Sequence, residues 1–307
     1  MAPPLTLADL GETAVIDRLT RLLPASPPSV LTGPGDDCAV IQTSFNELVT
    51  LLKADSVVEG VHFLSGEQMR RVGWKAVCRA VSDIAAMGGR PLHALIAVAV
   101  KPEMPLQTLE DFYSGISNAA KSYNVAIVGG ETVRTTGPLV CSIFLTGTVP
   151  AEHCILRSGG KPGDVLLVTG KLGGSFASGR HLDFTPRLAE GQWLARHEGT
   201  HAMMDLSDGL AVDAPRLAKA SQCGLKIEVE LIPCNEGCGF SQAVGDGEDF
   251  ELLVAVAAHS VPDLLLEWNA EFPELPLSAI GSLTESAEGF QPGEIFTNRG
   301  YDHFQQP

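Results

Sequence analysis

The chain has 307 residues, 45% hydrophobic and 19% charged, with 21 Lys and Arg against 37 Asp and Glu, a net charge of −16. That size and balance predict a globular chain with room for two cores, and the acidity excludes nucleic acid as a partner, since a binder shows a basic stripe. No run approaches the length of apolar residues that a membrane span needs; the longest candidate, Leu92 to Val100, is strand-sized.

In chain order, Leu7 to Leu23, preceded by Thr6 as cap, predicts an amphipathic helix ended by Pro24 and Pro27-Pro28. The acids between Met1 and Glu12 and the lack of a basic start argue against a signal peptide. Cys38 to Ile41 and Glu47 to Lys53 predict strands, and Glu67 to Met87 a long helix stopped by Gly88-Gly89. Leu92 to Val100 predicts a strand, Thr108 to Ser122 a helix, Val125 to Val128 a short strand running into Gly129-Gly130, and Leu139 to Val149 a long strand. A turn-rich segment from Arg157 to Asp164 then opens a second half, so the expected division is 1–150 and 151–307.

Beyond it, strands are expected over Val165 to Thr169, Ala202 to Met204, Lys226 to Leu231, Leu252 to Val256 and Pro276 to Gly281, with helices over Leu210 to Ser221 and Val261 to Trp268. Helices and strands mix without strict alternation, which favours an α+β architecture. Seven cysteines, odd in number and unpatterned, fit reduced thiols and a cytoplasmic setting.

Three strings imitate known motifs and lack what their chemistry needs. His197-Glu-Gly-Thr-His201 spells a zinc-protease motif, but Gly199 and Thr200 are poor helix formers and a hydrophobic run follows at once. Gly174 to Gly179 has P-loop glycine spacing without the Lys and Ser/Thr that reach phosphate and metal. Gly33-Pro-Gly35 begins a dinucleotide pattern, but Cys38 stands at its third glycine.

The stronger signal is a recurring setting in which an apolar run ends at an acid flanked by Gly, Ser or another acid. It occurs at Asp36-Asp37, Asp55, Asp83, Glu131, Asp205 with Asp208, and Glu248-Asp249. Any one of these reads equally as a turn or helix cap; Asp208, for instance, fits a cap on the helix after Gly209. Together they predict acids converging on one rim, a set of hard oxygens whose usual tenant is Mg²⁺ with a polyphosphate. Without a Walker A loop, that points to ATP-dependent phosphoryl chemistry outside the P-loop class.

The strings that carry these acids also resemble a known family. Gly33-Pro-Gly-Asp-Asp-Cys-Ala-Val-Ile41, Asp55-Ser-Val-Val-Glu-Gly-Val-His-Phe63, Val81-Ser-Asp-Ile-Ala-Ala-Met-Gly88, Val128-Gly-Gly-Glu-Thr132, Arg157 to Asp164, Asp205 to Leu210, Gly247 to Leu252 and Gly300 to Phe304 resemble thiamine-monophosphate kinases, in order and over nearly the whole chain. The resemblance implies the two-domain fold of aminoimidazole-ribotide synthetase, with N-terminal sheets pairing into a barrel across a homodimer. It also implies phosphoryl transfer from ATP to thiamine monophosphate, with Mg²⁺ assistance and no strong general base.

By that resemblance Asp37, Asp55, Asp83, Glu131, Asp205 and Asp208 would hold metal, with Asp208 and Lys53 as candidates for positioning. Tyr113, Gly130, Glu131, Arg157 and Ser207 would contact ATP, and His62, Glu248 and Tyr301 would line the thiamine phosphate pocket. Two departures strike the metal shell: Lys53-Ala54 stands where the family has two hydroxyl residues, and Glu131 where it has Asp. Lys53, two residues before Asp55 on a strand, is expected to share its face and to replace one Mg²⁺, with Glu131 reaching after the shifted metal. The alternative reading is a catalytically impaired or divergent kinase-like protein that binds thiamine phosphate or another small phosphorylated ligand.

Overall fold

The apolar runs of the first half become the strands of one mixed sheet. A computed structural model of the protein describes residues 7–10, 12–20, 27–42, 47–285, 301 and 303. Strands β1 (Val30–Thr32), β2 (Ala39–Gln42), β3 (Leu48–Val58), β4 (Arg90–Val100), β5 (Ala126–Arg134) and β6 (Val140–Pro150) lie in the order β1-β2-β3-β6-β4-β5. All pairings are antiparallel except β4 with β5, which a helix joins as a crossover.

Two short helices, α1 (Leu7–Leu10) and α2 (Glu12–Thr20), precede this sheet. The single helix expected from Leu7 to Leu23 is therefore described as two segments, and its end, residues 21–23, lies outside the described residues. Helix α3 (Met69–Ala86) packs across β3, β6 and β4, and the crossover helix α4 (Leu106–Ser122) packs on α3. Two glycines let these helices touch backbone to backbone. A Cβ at Gly73 would lie 2.0 Å from the Phe112 carbonyl oxygen, and one at Gly115 1.9 Å from that of Arg70.

Along β3 the burial alternates, as a sheet with one covered face requires. Val49, Leu51 and Val57 are buried toward α3, while Leu48 and Leu52 are exposed. Leu52, Leu95 and Phe144 stay exposed on the face away from α3, where with Val128 they line a shallow apolar depression.

The second half forms an antiparallel sheet from β7 (Val165–Thr169), β8 (Thr200–Leu206), β9 (Gly224–Ile227), β10 (Glu251–Val256) and β11 (Leu277–Thr284), ordered β8-β10-β7-β11-β9. Every residue of the central β10 is buried. Leu253 and Ala255 pack with Leu210, Ala214 and Leu217 of α7 (Leu210–Ala220), after the short α5 (Ser175–Ser178) and α6 (Leu188–Leu194). On the other face Leu252, Val254 and Val256 pack with Leu264 and Trp268 of α9 (Val261–Glu271), which follows α8 (Phe240–Gly245). Helix and sheet content in both halves agrees with the α+β expectation.

Two strands depart from the sequence reading. The chain expected to stay extended to Leu231 leaves the sheet after Ile227 and turns through a 3₁₀ segment, Val229–Leu231. Strand β9 is an edge strand, so nothing beyond it holds the chain extended. Conversely β5 runs on through Gly129-Gly130-Glu131, because parallel pairing with β4 continues past a bulge at Ala94 and Leu95. Gly130 has a steric reason of its own there, since a Cβ would lie 2.0 Å from the Ile96 carbonyl oxygen.

Candidate functional site

Helix α3 carries a stripe of chemistry along one face: Lys75, Arg79 and Asp83 recur at every fourth residue, with Ser82 beside them. Opposite them, β3 presents Lys53 and Asp55, two apart on the covered face of the sheet. The loop before β2 adds Asp36 and Asp37, and the end of β8 adds Asp205 with Ser207 and Asp208 just beyond. Asp37, Asp83 and Asp205 converge: all three are buried, and each offers a carboxylate oxygen within 4.8 Å of the others.

These charges are only partly answered. Arg157 holds Asp37 with two hydrogen bonds of 2.5 and 3.0 Å, Ser82 donates to Asp205 at 2.6 Å, and Lys53 Nζ reaches Asp83 at 2.6 Å. Burial, then the charge of Asp37, pushes Asp205 up to about 7. Burial also pushes the Asp83 carboxyl up, against the pull of Lys53. Burial opposes the charge of Lys53, but Asp83 and Asp55 outweigh it and hold its pKa above the ordinary lysine value. Three clustered, buried hard-oxygen donors fit Mg²⁺.

The cluster opens into a cavity of 560 Å³, lined also by Asp55, Arg157, Ser207, Asp208, Arg216 and Lys219. A second cavity of 230 Å³ is lined by His62, Phe176, Asp246, Glu248 and Tyr301. Arg79, Ser207, Asp208 and His303 line both, so the two spaces adjoin.

Beneath the second cavity lies a buried polar knot. Lys75, fully buried, donates to the His62 carbonyl at 2.5 Å and to Glu248, and stands 2.7 Å from His181 Nδ1. Burial lowers the Lys75 pKa to about 8, against the pull of Glu248. Glu248 is held down to about 2 despite its burial, by the His181 hydrogen bond and the charges of Lys75 and Arg79. Burial and the neighbouring Arg79 lower His62 to about 3, so its ring is neutral, and its Nδ1 accepts from the Val58 amide at 3.0 Å. Glu248 and Phe250 hold positive φ values of 57° and 52°, a backbone strain concentrated at this wall. The Tyr301 amide donates to the Asp208 carbonyl at 3.0 Å, tying residue 301 to the rim.

The expected residues thus fall into two groups. Asp37, Asp83, Asp205, Lys53, Asp55, Arg157, Ser207 and Asp208 meet in or around the larger cavity, and His62, Glu248 and Tyr301 in the smaller. Asp55 and Asp208 line the cavity but stand outside the converging trio. Both oxygens of Asp55 are held by Arg79, and the carboxylate of Asp208 pairs with Arg216 instead of capping α7. Tyr113, Gly130 and Glu131 are not brought to the cavity within one chain. They sit on α4 and the exposed β5, where the Glu131 carboxylate turns back to accept from the Thr132 amide at 3.0 Å. Within one chain Glu131 therefore does not reach the acid cluster, and Ala54 falls on the exposed face opposite Lys53.

The imitated motifs resolve physically. His197 to His201 crosses a turn into β8, and His201 bonds to Asp164. The Gly173 and Gly174 amides, which a phosphate cradle would aim at its ligand, donate to Asp249 and Asp246. Sequence reasoning missed Lys75 and Arg79, because charges in a helix read as its solvent face. Their spacing of four from Asp83 was the available signal.

Residues 35–149 match the family of the AIR synthase related protein, N-terminal domain, and residues 161–291 that of its C-terminal domain. The thiamine-monophosphate kinase of Rhodopirellula baltica is 39% identical over 75% of this chain and 77% of its own length. That of Salmonella typhimurium is 32% identical over 97% of this chain and 99% of its own. A solved structure of AaThiL complexed with AMPPCP and TMP matches with a TM-score of 0.83 at 29% identity, covering 98% of this chain and 99% of that one. Escherichia coli HypE, a hydrogenase maturation protein, has a TM-score of 0.67 at 22% identity, over 77% of this chain and 80% of its own, and shares the fold alone.

Proposed function

The chain belongs to the thiamine-monophosphate kinase family, and on that premise we propose that it transfers the γ-phosphoryl group of ATP to the phosphate of thiamine monophosphate, giving thiamine diphosphate. The observation that carries this reading is the junction of the two cavities: an acid cluster with fixed cations opens directly onto a smaller space walled by His62, Glu248 and Tyr301. The larger space takes the nucleotide phosphates and the smaller takes thiamine monophosphate.

Asp37, Asp83 and Asp205 would hold Mg²⁺, with Asp55 and Asp208 joining once their arginines are drawn to phosphate. When bound, the metal supplies charge neutralisation across the donor phosphates. Arg157 and Ser207 orient the nucleotide from the cavity wall. The acceptor is already an anion, so its oxygen attacks without a general base; a new P–O bond forms as the bond to the departing ADP breaks, and no proton need move. Tyr301 offers an aromatic face, and Glu248 a charge, to the cationic thiazolium.

A second copy seated on the exposed sheet face over Leu52, Leu95 and Phe144 completes the assembly as a homodimer. It brings Tyr113, Gly130 and Glu131 of one copy toward the nucleotide of the other. The metal and dimerisation half is residues 1–150, and 151–307 forms the other half. Seven unpaired thiols support a cytoplasmic setting, and among the described residues no helix is long and apolar enough to cross a membrane. Incubation with ATP, Mg²⁺ and thiamine monophosphate is expected to give thiamine diphosphate and ADP in equal amounts. Hydrolysis of ATP without that product would overturn the reading.

A further inference from the structure

Among the described residues, Arg79, Ser207, Asp208 and His303 line both cavities, and of these Arg79 alone carries a permanent positive charge. Its Nε and Nη2 each bond to Asp55 at 3.1 Å on the donor side, and its Nη1 reaches Glu248 at 3.2 Å on the acceptor side. Its Cζ stands 5.9 Å from the centroid of the Phe250 ring, and its side chain is mostly buried. Burial opposes its charge, but Asp55 and Glu248 hold its pKa above the ordinary arginine value, so the cation persists at any working pH. The guanidinium is thus fixed at the boundary that a phosphoryl group must cross.

We infer that Arg79 is a catalytic residue that contacts the transferring phosphoryl group and the acceptor phosphate together. The inference rests on the kinase reading and deepens it. Two phosphate anions approaching one another repel, and a planar guanidinium can bond to an oxygen of each at once. Its charge is worth most where negative charge spreads during transfer, and its mostly buried side chain is little screened from that charge. In the structure the same two ends of the guanidinium rest on Asp55 and Glu248. Loading the cavities exchanges those carboxylates for phosphates, which frees Asp55 for the donor side. The step balances as written: acceptor oxygen to phosphorus bonds, bridging oxygen to phosphorus breaks, and Arg79 keeps all its protons.

The test compares wild type with Arg79→Ala and Arg79→Lys. Arg79→Ala is expected to lose about 100- to 1,000-fold in kcat with ATP affinity little changed. Arg79→Lys, which keeps the charge but not the fork, is expected to recover only part of this. Millimolar guanidinium added to Arg79→Ala is expected to restore part of kcat and none of it to wild type. Calorimetry of thiamine monophosphate binding to Arg79→Ala, without nucleotide, is expected to show weakened but measurable affinity. Melting curves check that each variant is folded.

A folded Arg79→Ala with kcat within about threefold of wild type overturns the inference while leaving the kinase reading intact. So does a loss that guanidinium and Lys both fail to repair, since that marks a structural tie between α3 and the Glu248 turn. A wild type that makes no thiamine diphosphate overturns the kinase reading and this inference with it.

Discussion

The two sheets bury their strands differently. In the C-terminal sheet β10 is covered on both faces, by α7 on one and α9 with Trp268 on the other, and no residue of it reaches solvent. In the N-terminal sheet α3 covers one face, and the other displays Leu52, Leu95 and Phe144 at 38%, 47% and 47% exposure. Buried acids follow the same contrast. Glu251 on β10 is answered in full by Arg187 and Thr169, whereas burial leaves Asp83 and Asp205 raised although Lys53 and Ser82 reach them. A closed layer is finished by its own chain, whereas the open layer keeps an apolar face exposed and the acid cluster keeps two carboxyls raised by burial.

The largest effect expected from this contrast is in the closed sheet. Trp268→Ala empties a site where the ring is fully buried, and should cost about 3–5 kcal/mol in urea unfolding. A loss below about 1 kcal/mol would mean that α9 does not close that face.

On the open sheet, Phe144→Asp should leave the unfolding of the isolated chain nearly unchanged while costing about 2–4 kcal/mol in self-association. Sedimentation at micromolar concentration reads the difference. A variant that remains dimeric, or a wild type that is monomeric, breaks the comparison.

The acid cluster gives a pH test. Asp205 is raised to about 7, above its value in the unfolded chain. Its contribution to stability is therefore complete below the ordinary Asp range and is lost as pH rises through about 7. Asp36 and Asp249, each raised to about 6 chiefly by burial, act in the same direction, while Lys75, lowered to about 8, acts in the opposite one. Replacing Asp205 by Asn should isolate its share: the fall in Tm between about pH 4 and pH 7 flattens in the variant. Equal slopes in both proteins would show that the carboxyl is not held protonated.

Lys53 offers a subtler probe. Lys53→Thr removes the ammonium from Asp83, and Mg²⁺ binding with an ATP analogue, followed by calorimetry, should tighten by about tenfold or take up an additional ion. Unchanged affinity and stoichiometry would show that Lys53 does not stand in for a metal. The smallest effect is expected at Leu266, 72% exposed on α9, where Ala should change stability by less than about 0.5 kcal/mol.

The closed sheet is the more legible of the two in the sequence. Leu252 to Val256 is an unbroken apolar run, and such runs go to the interior whatever their partners. β5 reads short because Gly129-Gly130 signals a stop, and only the approach of the Ile96 carbonyl explains why glycine continues there. At the site, the acids are legible because short apolar runs precede them, yet among the described residues only three converge; which ones depends on how the loop before β2, α3 and the end of β8 meet, and no local pattern encodes that. Their cations are harder to find. Lys75 and Arg79 look like solvent residues until the helix is seen to lie between two sheets.

The close approach of Gly73 to the Phe112 backbone and of Gly115 to the Arg70 backbone gives α3 a fulcrum. The atoms facing each missing side chain are backbone carbonyl oxygens, so no rotamer can give way, and any methyl group there works as a wedge between two rods. Because Arg79 and Asp83 ride on the same rod about two and three turns further along, a wedge at the fulcrum would shift both side chains together. The placing of both side chains is therefore gauged at a point outside either cavity, by the thickness of two peptide groups.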